Sequence, residues 1–324
     1  MRYWPLMVRA AGLAVFVAAA MLFSVAWMLA DVRASEPPAP RIGVAVSNPP
    51  AADTPAPPVP EATALPAPAP LPVHASFEAL ARTVNAIIAG SGADVGVSLI
   101  ELGGPVPSAW SDGGSTQVDA ASTYKLVALM DEANLISAGR QNPKGSVCFQ
   151  DDDYEDGWYD DYASGSCYMR NDLAQRAGLF SDNTAGHMLV RDVGGSVSLN
   201  AFAAGLGARR SSFFDKNTTC ADDLAQLLAA EAQGRAGGAA AQSWLYPLLT
   251  RTKFEAGIPA GSPGAVVIHK TGDVDAVVVD AALVTGGKNG PYALAVTTDG
   301  VGGDAAWSTI ADVAAAVWQY ETAR

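Results

Sequence analysis

Histidine is scarce in this chain of 324 residues: His74, His187 and His269 are all it has. His74 sits in a proline-rich stretch, His187 on an expected helix and His269 in an expected strand beside Lys270, so each reads as structural rather than catalytic. No Gly-x-Ser-x-Gly elbow occurs, which leaves a serine–histidine–aspartate hydrolase of that kind without support. Cysteine is also rare, with Cys148, Cys167 and Cys220 only. No Cys/His spacing suits zinc, so no metal and no cofactor is expected. Basic residues are outnumbered, 20 Lys and Arg against 33 Asp and Glu, for a net charge of -13. With no basic stripe, nucleic acid is excluded as a partner.

One long stretch lacks charge altogether. Residues 10–30 follow a flank carrying Arg2 and Arg9 and end before Asp31. At about 1.5 Å per residue, such a helix would cross a hydrocarbon core ~30 Å thick. Residues 1–34 therefore read as a membrane anchor, or as a signal peptide cut after Val32 to Ala34. Either way the body of the chain is expected outside the cytoplasm. Residues 35–75 are rich in Pro and Ala with no apolar period, and read as a semi-rigid tether reaching on the order of 100 Å. Residues 76–324 then form one folded body, expected to act as a monomer.

In an exported chain, three cysteines suggest one disulfide and one free thiol. Cys148 and Cys167 bracket an irregular loop rich in Asp and aromatics and are expected to pair, while Cys220 lies at a helix start as a small buried residue. The acids of that loop (Asp151, Asp152, Asp153, Glu155, Asp156, Asp160 and Asp161) do not match the ligand spacing of an EF-hand, so a solvated surface loop is expected. Helical spacing marks 77–90, and two strands follow around Gly103-Gly104. Several helical pieces fill the middle of the body. Three strands and an amphipathic helix close the chain. Strands at both ends with helices between predict an α+β body around a mostly antiparallel sheet.

The run "ASTYKLVALMDEANL", Ala121 to Leu135, carries an oddity. Ser122 or Thr123 would serve as the N-cap of a buried helix. A capping box wants Glu or Gln three residues on, yet Lys125 stands there, a cation at the positive end of the helix dipole. The misfit costs roughly 0.3–1 kcal/mol at an exposed site. Two further short motifs follow in order: Ser181-Asp182-Asn183, and Lys270-Thr271-Gly272 at an expected strand end. Each alone reads as a turn, a cap or a strand end. Together and in this order they are a different matter.

The three motifs resemble those of the class A β-lactamase-like serine hydrolases. The resemblance extends through "SDNTAGHMLV", "LNAFAAGLG", "TTCADDLAQLL" and the segments from Ile258 to Val284 and Pro291 to Gly300. It implies a five-stranded antiparallel sheet set against a helical subdomain, the β-lactamase/DD-peptidase-like fold, with the site between them. It implies Ser122 as nucleophile and Lys125 as its base, one helical turn away. A lysine removed from water and near other cations loses its proton more readily; the helix N-terminus and Lys270 are expected to act in that direction. The resemblance further implies that Ser181 relays a proton, that Asn183 holds the substrate amide, and that Lys270, Thr271 and Gly272 receive its carboxylate. The backbone N–H groups of Ser122 and Asp273 would bind the oxyanion. Asp182 is expected to hold the loop rather than do chemistry.

Two departures stand out. Class A enzymes carry a Glu-x-x-Leu-Asn segment whose glutamate activates the deacylating water. Here no glutamate occurs between Ser181 and Glu231, and Asp215 is the one acid in the shortened stretch from Gly207 to Cys220. Nor does any arginine occur between Arg251 and Arg324, where relatives use one to grip a carboxylate. Three readings follow. The chain is a β-lactamase-like hydrolase with slow deacylation, a cell-wall D,D-peptidase or esterase, or a penicillin-binding or sensing module without turnover. The expected partner in each is a β-lactam or a small peptidoglycan-derived molecule.

Overall fold

The computed structural model describes residues 77–104 and 108–323. The expected anchor or signal within residues 1–34, its membrane segment at 10–30 and the tether at 35–75 lie outside the described residues. Among the described residues no helix is long and apolar enough to cross a membrane.

Nine strands are described: β1 Asp94–Glu101, β2 Ala109–Asp112, β3 Val118–Asp119, β4 Ser146–Cys148, β5 Cys167–Met169, β6 Thr218–Thr219, β7 Val266–Val274, β8 Val277–Thr285 and β9 Tyr292–Asp299. Five of them make one sheet in the order β2-β1-β9-β8-β7, antiparallel throughout. The helices are α1 Phe77–Ser91, α2 Tyr124–Ser137, α3 Arg170–Leu179, α4 Asn183–Asp192, α5 Gly195–Leu206, α6 Ala221–Ala232, α7 Gly238–Leu245, α8 Ile258–Gly261 and α9 Gly303–Ala323. The expected α+β, five-stranded antiparallel fold with a helical subdomain is therefore the one observed.

Strand periodicity explains how the sheet divides the core. Along β8, Val278, Ala282 and Val284 pack with Phe77, Leu80 and Val84 of α1 and Ile310, Val313 and Val317 of α9. The alternate residues Val279, Ala281 and Leu283 join a second cluster with Leu126, Leu129 and Met130 of α2 and Leu224 and Leu228 of α6. A strand covered on both faces is buried along its whole length, as β8 and β9 are, and β8 is apolar at all but Asp280 and Thr285. The first two and a half turns of α2, Tyr124 to Ala133, are buried all round, so this helix lies at the centre of the helical subdomain and not on its rim.

One buried polar group of the sheet is closely matched. His269 of β7 is fully buried, with Nδ1 2.9 Å from Asp280 Oδ1 and Nε2 3.2 Å from Glu255 Oε1. Asp280 also accepts the N–H of Ile258 at 2.8 Å, tying α8 to the sheet. Burial alone disfavours the charged imidazole, but the two carboxylates outweigh it and raise its pKa to about 9. A group raised above its unfolded value of 6.5 stabilises the fold fully below that pH and loses the contribution as pH rises through 9. Urea unfolding of His269→Gln should therefore show a loss of up to about 3 kcal/mol at pH 6 that largely closes by pH 10. A gap of equal size at both pH values would mean that packing, not charge, is what the imidazole supplies.

The loop between β4 and β5 is closed by a bond between the Cys148 and Cys167 sulfurs, and Cys220 is a buried free thiol. The loop is exposed at six of its seven acids, as expected of a solvated segment, but three of the seven are also paired. Asp153 is buried and bonds Arg191, Asp161 pairs with Arg176, and Glu155 pairs with His187, so these carboxylates fasten the loop to α3 and α4. Closing a loop of this size is worth about 3 kcal/mol. Non-reducing peptide mapping should recover the Cys148–Cys167 pair, and a Cys148→Ala/Cys167→Ala chain should unfold at correspondingly lower urea. Recovery of either cysteine joined to Cys220 would overturn the pairing.

Candidate active site

Ser122 does not cap α2. A 3-10 turn over Ala121–Thr123 leads into the helix, the Thr123 hydroxyl donates back to Ala120 O at 2.6 Å, and no side chain caps the first turn. The turn is held at some backbone cost, since Ala121 adopts φ 44°. Asp119 offsets it by accepting the Ala121 N–H at 2.7 Å, and Asn217 donates to Ala121 O at 2.9 Å. The hydroxyl that would have capped the helix is thereby left for Lys125.

Lys125 is fully buried, and its Nζ has three neighbours: Ser122 Oγ at 2.9 Å, Ser181 O at 2.7 Å and Asn183 Oδ1 at 2.7 Å. The last two are acceptors only. A neutral amine has two N–H groups, which those acceptors consume, and the lone pair then faces the Ser122 hydroxyl. Burial lowers the pKa of Lys125 to about 7, against the opposing pull of Glu155 and Asp182. Removal from water, rather than the helix terminus or Lys270, is thus the main cause. Lys270 is buried as well and is driven well below its usual value, by burial first and by Lys125 second. Its Nζ lies 2.8 Å from Ser181 Oγ, so the Ser181 hydroxyl stands between the two lysines, 3.5 Å from Lys125.

The backbone makes these distances achievable at two glycines. A Cβ on Gly186 of α4 would sit 2.7 Å from Lys125 Cε, so only glycine lets the lysine lie against that helix. A Cβ on Gly272 of β7 would sit 2.8 Å from Ala120 O and 2.9 Å from Ala121 Cβ, so only glycine lets the strand approach the serine turn. Ser181 takes φ 59° at the tip of its own turn, and Asp182 then caps α4 by accepting the Ala185 N–H at 2.9 Å. Asp182 also accepts from Tyr162 Oη at 2.6 Å, Trp158 N at 2.9 Å and Tyr159 N at 3.0 Å. Four bonds on one buried carboxylate leave it a fastening for the β4–β5 loop.

Two clefts meet at Ser122, Asn183 and Asp273. The larger, about 720 Å³, is also lined by Gly157, Trp158, Ser181, Phe254 and Thr271. The smaller, about 470 Å³, is lined by Tyr124, Glu155, His187, Phe214 and Asn217. All of Ser122, Lys125, Ser181, Asn183, Lys270, Thr271, Gly272 and Asp273 thus come together from α2 and α4, the turns that precede them, and β7. Asp215 does not join them. Its carboxylate accepts from Ser196 Oγ at 2.7 Å, and its neighbour Phe214 faces the cleft instead. Among the described residues no group of His, Cys, Asp or Glu is arranged to hold a metal ion.

A family model described as the beta-lactamase enzyme family matches residues 79–321. The chain belongs to this family. Solved structures agree on the fold. PBP-A superposes with a TM-score of 0.70 at 24% identity, covering 77% of this chain and 98% of PBP-A. A point mutant of PBP-A, as its acyl-enzyme complex with penicillin G, gives 0.70 at 23% identity over 78% of this chain and 98% of that one. The beta-lactamase from Sphaerobacter thermophilus DSM 20745 gives 0.68 at 24% identity over 76% of this chain and 98% of its own. No curated protein sequence matches the chain.

Glu155, His187, Phe214 and Asn217 were not among the expected site residues. The signal for Glu155 and His187 was weak: an acid in an irregular loop and a lone histidine, 32 residues apart, that only the fold brings together. The close approach of β7 is testable by itself. Gly272→Ala should fold with a near-normal melting temperature, yet label with a fluorescent penicillin roughly 10²-fold more slowly, the cost of misplacing a reacting group by about 1 Å. Unchanged labelling would mean that β7 yields to the methyl group without disturbing Ser122.

Proposed function

We propose that this member of the family is an exported serine hydrolase that forms an acyl-enzyme on Ser122 with β-lactams or related cyclic amides, and that deacylation is its slow step. The reading rests on one observation above the others: a buried lysine whose two spare N–H groups are taken and whose lone pair faces Ser122 Oγ at 2.9 Å. Neutral Lys125 accepts the hydroxyl proton as Oγ attacks the carbonyl carbon. The Ser122 and Asp273 N–H groups bind the oxyanion. As the C–N bond breaks, the nitrogen takes a proton from Ser181, which Lys125 and Lys270 replenish. Thr271 and Lys270 receive the substrate carboxylate, and Asn183 its amide. That a mutant of PBP-A, a neighbour in fold, has been captured with penicillin G as an acyl-enzyme supports the choice of probe. The shortened Gly207–Cys220 stretch, with Asp215 turned to Ser196, supports slow deacylation. Without a well-placed base this step forfeits part of the roughly 10²–10⁴-fold that general bases supply.

A chromogenic cephalosporin should give a burst near one equivalent followed by slow turnover, with a persistent adduct on the Ser122 peptide. Ser122→Ala should abolish the adduct, and Lys125→Ala should be nearly as severe, because the two act as a unit. The acylation rate should rise with pH up to about 7, where Lys125 loses its proton, and level off above. Fast turnover without a burst would remove the slow step from the reading. An adduct on another residue would remove Ser122.

A further inference from the structure

The smaller cleft holds a histidine–carboxylate pair that the acylation chemistry does not use. His187 Nε2 lies 2.7 Å from Glu155 Oε2, and both residues share that cleft with Ser122. We propose that Glu155, oriented by His187, is the general base that activates the water hydrolysing the Ser122 ester. This rests on the acyl-enzyme reading above and supplies the step which that reading leaves slow.

Three other carboxylates near Ser122 are already engaged; Asp273, which lines both clefts, is not among them. Asp182 is consumed by its four hydrogen bonds. Asp119 accepts the Ala121 N–H at 2.7 Å and Asn217 Nδ2 at 3.3 Å, so it braces the serine turn. Asp215 is bonded to Ser196. Glu155 is different, because one oxygen is held by His187 while its side chain remains 52% exposed, open to water. It is also firmly placed. Its N–H donates to Thr184 Oγ1 at 3.0 Å, and that hydroxyl donates back to Glu155 O at 2.8 Å. Asn183 Nδ2 donates to Asp156 O at 2.7 Å. The residues that hold Glu155 thus sit on the same first turn of α4 as Asn183, which also binds Lys125. His187 is one turn further on, its ring set edge-on against Phe214 at 5.0 Å.

The geometry divides the labour between the clefts. Substrate occupies the larger one, where Ser181 and Thr271 stand, and water reaches the ester from the smaller one. The water oxygen adds to the acyl carbon, and its proton passes to Glu155. The C–Oγ bond then breaks and the proton returns to Ser122 Oγ through Lys125, 2.9 Å away. In sum, water adds across the ester and nothing else is consumed. Burial keeps His187 below its usual pKa, with Glu155 pulling it up and Lys125 pushing it down, so a neutral ring is at hand to orient the carboxylate.

The test uses the full chain and benzylpenicillin. The adduct is formed, free penicillin is removed, and its decay is followed by intact mass in H2O and D2O. Glu155→Gln preserves the shape and a hydrogen bond to His187 but cannot accept the proton. Its adduct should decay at least about tenfold more slowly than wild type, and the solvent deuterium isotope effect on decay should vanish. Glu155→Asp should recover part of the rate. His187→Gln should slow decay less and retain the isotope effect, as befits a positioning residue. Wild-type decay in Glu155→Gln, or an isotope effect that survives in it, would overturn the inference while leaving the acyl-enzyme reading intact. A Glu155→Gln chain that no longer acylates would place the carboxylate in the first step and overturn it too. Absence of any adduct on the wild type would overturn the acyl-enzyme reading and this inference with it.

Discussion

Keeping one ammonium out of water is the constraint around which the helical subdomain is built. A lysine in bulk water holds its proton far above neutral pH, and only removal from solvent brings it into range. Lys125 is therefore at the head of a helix buried on every side, under α4, with Gly186 providing the room. The cost of burying so polar a group is offset by three hydrogen bonds from one nitrogen. Two of those bonds come from the Ser181–Asn183 turn, so that turn must be fixed. Asp182 fixes it by capping α4 and gripping the β4–β5 loop. The loop is in turn anchored by the Cys148–Cys167 bond and by Arg176 and Arg191. Each layer exists to hold the one inside it.

The sheet brings its chemistry to this arrangement through β7. Strand β7 carries Lys270 to Ser181 and brings Gly272 against the serine turn. Its position depends on the buried His269–Asp280 pair on the strand's other side and on the apolar run of β8 beside it. Two adjacent residues of β7 thus face opposite ways, as the period of a strand requires. His269 is matched by carboxylates that raise its pKa against burial; the pKa of Lys270 is lowered by burial first and then by Lys125. The difference is not one of burial, which both share, but of the neighbour each side of the sheet supplies.

How much of this was legible in the sequence follows from how local each signal is. The sheet was readable because β8 is apolar at all but Asp280 and Thr285 and β9 ends at Asp299. The helices α3, α4, α5 and α6 were readable from their spacing, whereas α7, in a run of glycine and alanine with little period, was not. Seven of the eight expected residues that come together lie in the three motifs, each three or four residues long, and Asp273 follows the third. Of the two expected N-cap residues, Thr123 takes the position without a side-chain bond and Ser122 does not, for an instructive reason. A serine at a helix start caps when its hydroxyl has no other partner, and here Lys125 one turn on competes for it. Likewise the ion pairs made by Asp161, Glu155 and Asp153 of the β4–β5 loop were not legible, because their partners, Arg176, His187 and Arg191, lie on later helices.

The same lesson bears on where a deacylating base should be sought. A family motif assigns a role to a position in the chain, but the reaction asks only for a carboxylate near the ester with water at hand. When the expected segment is shortened, the cleft it would have filled is open to whatever packs alongside. In this chain Phe214 and Asn217 line one side of that space and the β4–β5 loop lines the other, bringing Glu155 against α4. The disulfide then matters beyond stability, because it closes the loop that carries the carboxylate. A base held by a loop is less firmly placed than one built on a helix, and positioning error costs rate steeply. Slow deacylation and a Glu155 base are thus compatible, since the carboxylate shares a cleft with Ser122 but is carried by a loop and not by a helix.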